Sequence, residues 1–215
     1  MKIFDREIAK KVALDLLKIK AVKLQPQQPF TWASGWKSPI YCDNRKTLSF
    51  PETRILIKES FAKLIRSCYP EAELIAGVAT GAIAHGVLVA DELGLPFVYI
   101  RSEAKSHGLT NLIEGEFKPG QKTVIIEDLI STGGSSLKAL EAMRNSGVQV
   151  LGMAAIFTYM FPTAEQNFKS NLCELFTLSN YEILIDFAVS AGYISIENIA
   201  TLNSWRQSPQ SWGEI

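Results

Sequence analysis

Four short apolar runs, separated by helical stretches, constrain the fold of this chain more than any other feature. The runs are 74–79, 97–100, 123–127 and 150–157. Residues 81–93 lie between the first two runs and residues 135–145 between the last two, and both stretches predict helices that end at a glycine. Strands that alternate with helices predict βαβ units, and continuous apolar runs predict a parallel sheet that is buried on both faces. The expected fold class is therefore α/β with a central parallel sheet.

Further helices are predicted on either side of this alternating region. Apolar residues at helical spacing predict an amphipathic helix over 3–19, and Pro51 opens a second helix that runs to Cys68. Residues 26–39 are rich in Pro, Gly, Ser and aromatic residues, which indicates turns rather than a periodic element. Three more helical stretches are expected near the C-terminus, at 162–169, 180–190 and 196–205.

The charge and cysteine content exclude several classes of function. Lys plus Arg and Asp plus Glu each number 22, so a protein that binds nucleic acid through a basic surface is not expected. The cysteines Cys42, Cys68 and Cys173 form no C-x-x-C pair, which predicts reduced thiols and a cytoplasmic protein. The N-terminus lacks the apolar core of a secretory signal. No apolar run reaches the roughly 18 residues that a membrane span needs, so no membrane partner is expected.

Residues 101–121 form an unusually long connection between two predicted strands. They have little apolar content and carry Arg101, Lys105 and His107. Connections of about twenty residues inside compact domains are usually functional. We therefore expect a basic lid or binding loop here.

The segment from Val124 to Ser136 predicts a site for a phosphorylated ligand. Its strand ends in Glu127 and Asp128, a Ser/Thr/Gly turn follows, and then a helix begins. Ligands bind beyond the carboxyl ends of parallel strands, where glycines permit close approach and a helix N-terminus donates N–H groups to an anion. Two acids would repel a simple phosphate, so the ligand is expected to carry hydroxyls, Mg²⁺ or a carbon that becomes cationic. Gly81 and Gly86 are not followed by Lys-Ser/Thr, which excludes a Walker A loop.

This segment resembles the phosphoribosyl pyrophosphate (PRPP) motif of type I phosphoribosyltransferases. Two other segments narrow the resemblance to orotate phosphoribosyltransferases. Residues 30–45 are similar to the N-terminal segment of that family, and Arg101-x-Glu103-x-Lys105-x-His107-Gly108 is similar to its catalytic loop. The order and spacing of the three segments agree over residues 3–160.

The resemblance implies an enzyme that converts orotate and PRPP, with Mg²⁺, to orotidine 5′-monophosphate and pyrophosphate. This reaction is a step of de novo pyrimidine (UMP) biosynthesis. The implied type I phosphoribosyltransferase fold is a single domain over 1–215, a central parallel sheet flanked by helices. Its core would span 51–160, and a small hood would comprise 1–45 and part of the C-terminal region. The family also implies a homodimer whose catalytic loop is shared across subunits.

The resemblance also implies roles for individual residues. The catalytic residues would be Lys105, His107 and Asp128, and Ser131 would also contact orotate. Residues 30–45 would wall the orotate pocket. No protein ligand to the metal is expected, because Mg²⁺ would be held mainly through PRPP. The implied PRPP-binding residues are Arg101, Lys105, His107, Glu127, Asp128, Leu129, Ile130, Ser131, Thr132, Gly133, Gly134 and Ser135.

Some positions depart from the pattern of the family, and two other functions stay open. Ser102 stands where many members have Lys, Thr80-Gly81 where some have Tyr-Lys, and Thr158 where some have Arg. A purine-base phosphoribosyltransferase or a PRPP-sensing regulator could use the same fold. The aromatic segment 30–45 favours orotate over purines, and the absence of a basic excess or an added basic module disfavours a regulator that binds nucleic acid.

Overall fold

A computed structural model describes residues 1–101 and 112–213 of the chain. The strands are β1 (Lys2–Ile3), β2 (Val22–Leu24), β3 (Phe30–Thr31), β4 (Lys37–Ser38), β5 (Ile40–Cys42), β6 (Leu74–Val78), β7 (Phe97–Ile100), β8 (Ile113–Glu114), β9 (Lys122–Ile130), β10 (Gln149–Thr158) and β11 (Leu175–Asn180). The α-helices are α1 (Arg6–Lys18), α2 (Pro51–Cys68), α3 (Ile83–Leu93), α4 (Gly134–Asn145), α5 (Pro162–Ser170), α6 (Tyr181–Ser190) and α7 (Asn198–Gln207), and Asn44–Ser49 forms a 3₁₀ helix.

The main sheet has seven strands in the order β1-β11-β10-β9-β6-β7-β8. Each neighbouring pair is parallel except β7 and β8, which are antiparallel. The α/β class and the parallel sheet predicted from the sequence are therefore confirmed. Strands β6 and β9 lie side by side although β7 and β8 separate them in the chain, so the strand order reverses between them. A reversal of this kind opens a ligand crevice at the carboxyl ends of the two strands.

The first helix begins later than its apolar pattern predicts. Asp5 caps it, because one carboxylate oxygen accepts the N–H groups of Glu7 at 2.9 Å and Ile8 at 3.1 Å. Lys2 and Ile3 are extended and pair with Phe176 and Thr177 of β11. The prediction of helix from residue 3 is therefore wrong at its start, because pairing with a distant strand competes with the local helical pattern.

The connection after β7 is more ordered than the sequence predicts. Ile113 and Glu114 form β8, which pairs with Ile100 and Tyr99. The backbone N–H of Arg101 also donates to the carbonyl oxygen of Leu112 at 2.8 Å. The expectation of one loop over 101–121 is thus wrong over 113–114, which belong to the sheet.

Trp205 of α7 is the centre of an aromatic cluster. It is fully buried, and its ring centroid lies 5.6 Å from that of Trp32, which follows β3. Tyr159, Phe161 and Tyr181 also lie 5.2–5.6 Å from Trp205. The cluster joins the β3–β4 hairpin to the C-terminal helix. None of the helices in 1–101 and 112–213 is long and apolar enough to cross a lipid bilayer.

Candidate active site

The crevice at the strand-order reversal exists because β9 is longer than its neighbour β6. The β6–β9 pairing reaches only Gly77↔Ile126, whereas β10 pairs with β9 as far as Thr158↔Ile130. Residues 127–130 at the end of β9 therefore have a neighbouring strand only on the β10 side. On its other side lies the chain that follows β6, which includes a cis peptide bond between Ala79 and Thr80.

Glu127 and Asp128 lie within β9 and not at its end, because the strand continues to Ile130. Glu127 is 4% exposed, and its carboxylate oxygens accept the Asp128 N–H at 2.9 Å and the Ser136 hydroxyl at 2.8 Å. Burial raises the pKa of Glu127 well above its usual value, and the charge of Asp128 adds to this increase. The Glu127 carboxyl therefore ties the end of β9 to the first turn of α4.

Asp128 is half-buried and faces the chain that follows β6. A Cβ added at Gly81 would lie 2.6 Å from Oδ1 of Asp128, closer than real Cβ atoms approach other atoms. The backbone carbonyl of Asp128 accepts a hydrogen bond from the side-chain amide of Asn44 at 2.6 Å. Asp128 is thus the point where β9, the segment after β6 and the 3₁₀ helix come together.

The turn after β9 leads directly into α4, as the sequence predicts. Gly133 has a φ of +82°, a conformation that other residues rarely adopt, and no side chain of the described residues caps the helix. The amide of Asn167 holds the turn by donating to the carbonyl of Thr132 at 3.1 Å. The first N–H groups of α4 are therefore available to an anion.

Arg101 lies on the same cavity as this turn. The cavity measures about 530 Å³, and its lining includes Ala79, Arg101, Gly134 and Ser135. One guanidinium nitrogen of Arg101 lies 3.3 Å from a carboxylate oxygen of Glu114. The structure thus brings a cation, the start of α4 and the chain after β6 to one space.

The other predicted site residues divide into three groups. Lys105 and His107 lie outside the described residues. Leu129 is half-buried against the core and Ile130 is fully buried. Both residues pair with β10, and the Ile130 carbonyl accepts the N–H of Tyr159 at 3.1 Å. Ser131 and Thr132 are half-buried in the turn itself.

Sequence reasoning assigned no individual role to four residues that support the site, although Asn44 belongs to the segment 30–45 that is expected to wall the orotate pocket. Asn44 holds Asp128, and the Thr47 hydroxyl donates to the Asn44 carbonyl at 2.5 Å. His85 is buried, and its Nε2 lies 3.2 Å from the Thr47 hydroxyl oxygen. Burial lowers the pKa of His85 below its ordinary value, which favours the neutral ring. The fourth is Ser136, which follows the turn by one residue and gives no signal in the sequence beyond that position.

Comparisons with known proteins agree with this geometry. Residues 48–190 match the family described as phosphoribosyl transferase domain. A protein of Porphyromonas gingivalis named orotate phosphoribosyltransferase is 60% identical over 97% of this chain and 99% of its own length. A protein of Bacteroides thetaiotaomicron with the same name is 59% identical over 99% of this chain and 98% of its own length.

Solved structures share the fold. The UMP synthase of Leishmania donovani has a TM-score of 0.77 and 27% identity, covering 92% of this chain and 42% of that one. The orotate phosphoribosyltransferase of Aeropyrum pernix has a TM-score of 0.74 and 23% identity, covering 86% of this chain and 99% of that one. The second likeness concerns the fold alone.

Proposed function

We infer the reaction from family membership: the chain belongs to the phosphoribosyl transferase domain family and, within it, to the orotate phosphoribosyltransferases. It transfers the phosphoribosyl group of PRPP to orotate, which gives orotidine 5′-monophosphate and pyrophosphate in pyrimidine biosynthesis. The observation that carries this conclusion is the identity of 60% over almost the full length of both chains. That identity favours orotate over the purine-base and regulatory alternatives.

We propose that PRPP lies across the crevice between β6 and β9. The turn Ser131–Ser135 would hold the 5-phosphate, since its N–H groups at the start of α4 have no side-chain partner among the described residues. Ser131, at the entrance to the turn, would also contact orotate. The carboxylate of Asp128 would face the ribose hydroxyls. Glu127 would support Asp128 through its backbone N–H, because both carboxyl oxygens of Glu127 already accept hydrogen bonds from the protein.

The proposed chemistry separates charge at the anomeric carbon. A ring nitrogen of orotate forms the new bond as the bond to pyrophosphate breaks. Pyrophosphate leaves with the electron pair, and the proton of that ring nitrogen is released to the pyrophosphate product or to water. Asp128 would stabilise the positive charge on the ribose, while Arg101, Lys105 and His107 would stabilise the leaving oxygens. One close ion pair near a surface is worth up to about 4 kcal/mol before desolvation, against about 0.3–1 kcal/mol for an exposed helix N-terminus. The basic loop is therefore the larger contributor.

Mg²⁺ would be held mainly through oxygens of PRPP. Within 1–101 and 112–213, no group of three or more His, Cys, Asp or Glu side chains is arranged to hold a metal ion. Asp128 offers one hard oxygen donor at the crevice, whereas Glu127 is engaged with Ser136 and the Asp128 N–H. When bound with PRPP, Mg²⁺ would supply positive charge to the departing pyrophosphate.

The assembly and location of the enzyme are also proposals. We propose a homodimer in which the catalytic loop of one subunit serves the site of its partner, and a small hood formed by 1–45 with part of the C-terminal region. We also propose a cytoplasmic location. The support for it is that Cys42, Cys68 and Cys173 are free thiols, of which Cys42 and Cys173 are buried.

An assay with separate bases tests the reaction. The enzyme is mixed with PRPP, Mg²⁺ and either orotate, adenine or xanthine, and loss of the ultraviolet absorbance of the base is followed. Only orotate should be consumed, and consumption should stop when PRPP is omitted or Mg²⁺ is chelated. Turnover of adenine or xanthine without orotate would contradict the proposal.

A further inference from the structure

The backbone of Asp128 is held by side chains where a strand is missing. Beyond Ile126, β9 has no pairing with β6. At this point the N–H of Asp128 donates to Oε1 of Glu127 at 2.9 Å, and its carbonyl accepts from the amide of Asn44 at 2.6 Å. The two side chains therefore satisfy backbone groups that a neighbouring strand would otherwise bind.

The side chain of Asn44, which donates to the Asp128 carbonyl, is itself held by hydrogen bonds. Its residue is 1% exposed, and its side-chain oxygen accepts a hydrogen bond from the thiol of Cys42 at 3.4 Å. Its own carbonyl accepts from the hydroxyl of Thr47 at 2.5 Å, and that hydroxyl also contacts Nε2 of His85 at 3.2 Å. Because both ends of the amide have partners, the amide has one favoured orientation.

Through His85, the contacts of Asn44 reach the helix that follows the segment beside the Asp128 carboxylate, the group that we place against the ribose. His85 lies in the first turn of α3, and α3 follows the segment whose Gly81 approaches the Asp128 carboxylate. The Asp128 residue is therefore held at its backbone carbonyl by Asn44 while its carboxylate is confined by Gly81. A shift of about 1 Å at a reacting group can cost about a hundredfold in rate, so this confinement has catalytic consequences.

We propose that Asn44 is a positioning residue of the transfer reaction, acting through Asp128. It fixes the Asp128 carboxylate toward the ribose and links the segment 30–45, which we expect to wall the orotate pocket, to the reacting centre. This inference rests on the proposed function and on the role proposed there for Asp128.

A double-mutant cycle tests the inference in the complete enzyme. The variants are Asn44→Ala, Asp128→Asn and the combination, and kcat and the KM values for PRPP and orotate are measured for each. Asn44→Ala should lower kcat about ten- to hundredfold in the wild-type background, the size expected for loss of one buried hydrogen bond to the site. In the Asp128→Asn background it should cost less than about threefold, because the charge that Asn44 positions is then absent.

Two further variants separate positioning from folding. Asn44→Leu keeps the branched shape of the side chain without the amide donor and should show the same non-additivity, which covers the case in which Asn44→Ala does not fold. Asn171→Ala removes an exposed amide that also donates to a backbone carbonyl, at 2.8 Å, and should leave kcat unchanged. Equal fold losses of kcat in both backgrounds would overturn the role of Asn44. An unchanged kcat in the Asp128→Asn variant would overturn the role of Asn44 as well. If the wild-type enzyme does not use orotate, the proposed function itself is refuted.

Discussion

Replacement of Gly81 by alanine tests whether the segment after β6 confines Asp128 during catalysis. The added Cβ would overlap the Asp128 carboxylate, with Oδ1 at 2.6 Å, whereas ordinary van der Waals contact begins at 3.4 Å. The carboxylate or the segment must therefore move by about 1 Å, and a displacement of that size corresponds to about a hundredfold loss in rate. In activation free energy the loss is about 2.7 kcal/mol.

The same substitution should cost little folding stability. Gly81 is half-buried, and its φ is outside the left-handed range, so alanine introduces no backbone strain. The expected result is a large fall in kcat with a Tm close to that of the wild type. Stopped or continuous orotate assays give kcat, and thermal unfolding gives Tm.

Gly120→Ala supplies the opposite control. Gly120 has a φ of +79° with nothing near its missing Cβ, and it precedes β9 at the end of the sheet away from the crevice. Alanine there should lower Tm through backbone strain and leave kcat unchanged. If Gly81→Ala keeps the kcat of the wild type, the Asp128 carboxylate is not held against this segment during turnover, and the reasoning fails.

Three other predictions concern the loop, the buried acid and the aromatic cluster. Lys105→Ala should lower kcat much more than it weakens PRPP binding, and equal losses in steady-state and binding measurements would argue against a transition-state role. Burial raises the pKa of Glu127 above the ordinary 4.5, so the folded state binds its proton more tightly than the unfolded state, and the associated stability is lost as pH rises through the folded pKa. Urea unfolding should therefore show Glu127→Gln gaining stability relative to the wild type as pH rises from 5 to 8, and a constant difference would contradict this cause. Trp205→Ala should cost about 3–5 kcal/mol in denaturant unfolding, against less than about 0.5 kcal/mol for the exposed Ile196→Ala.

The central part of the fold is predictable from local pattern. The run 97–100 coincides with β7, and the helix from Pro51 to Cys68 has the predicted bounds. The end of β9 is less predictable, because Glu127 resembles a strand-terminating residue. The structure keeps this carboxyl in the strand by giving it two hydrogen-bond donors.

Elements that depend on distant partners were not predictable. Lys2 and Ile3 form a strand only because β11 lies beside them. Strand β11 itself has polar residues such as Thr177 and Ser179, which are buried, and the Ser179 hydroxyl donates to the Ala9 carbonyl at 2.9 Å. No local pattern encodes such pairings, since the partners are far apart in the chain.

The candidate site shows the same division. The strand–turn–helix around Gly133 is continuous in sequence, so its residue types indicate a phosphate-binding turn. The approach of Gly81 to Asp128 and the hydrogen bond from Asn44 join separate segments, and neither has a local signal. Composition and spacing therefore predict the ligand class, whereas the contacts that hold the Asp128 carboxylate, to which we assign a catalytic role, are visible only in the folded chain.

The packing of Trp205 against Trp32 has a consequence for anyone who recombines such enzymes. The hairpin near the proposed base pocket and the C-terminal helix share one set of interlocking rings. A chimera that imported only the β3–β4 hairpin from a purine-specific relative would replace the residues that pack against Trp205 and leave Trp205 itself unchanged. A graft intended to change the preferred base should therefore transfer the hairpin and the C-terminal helix together.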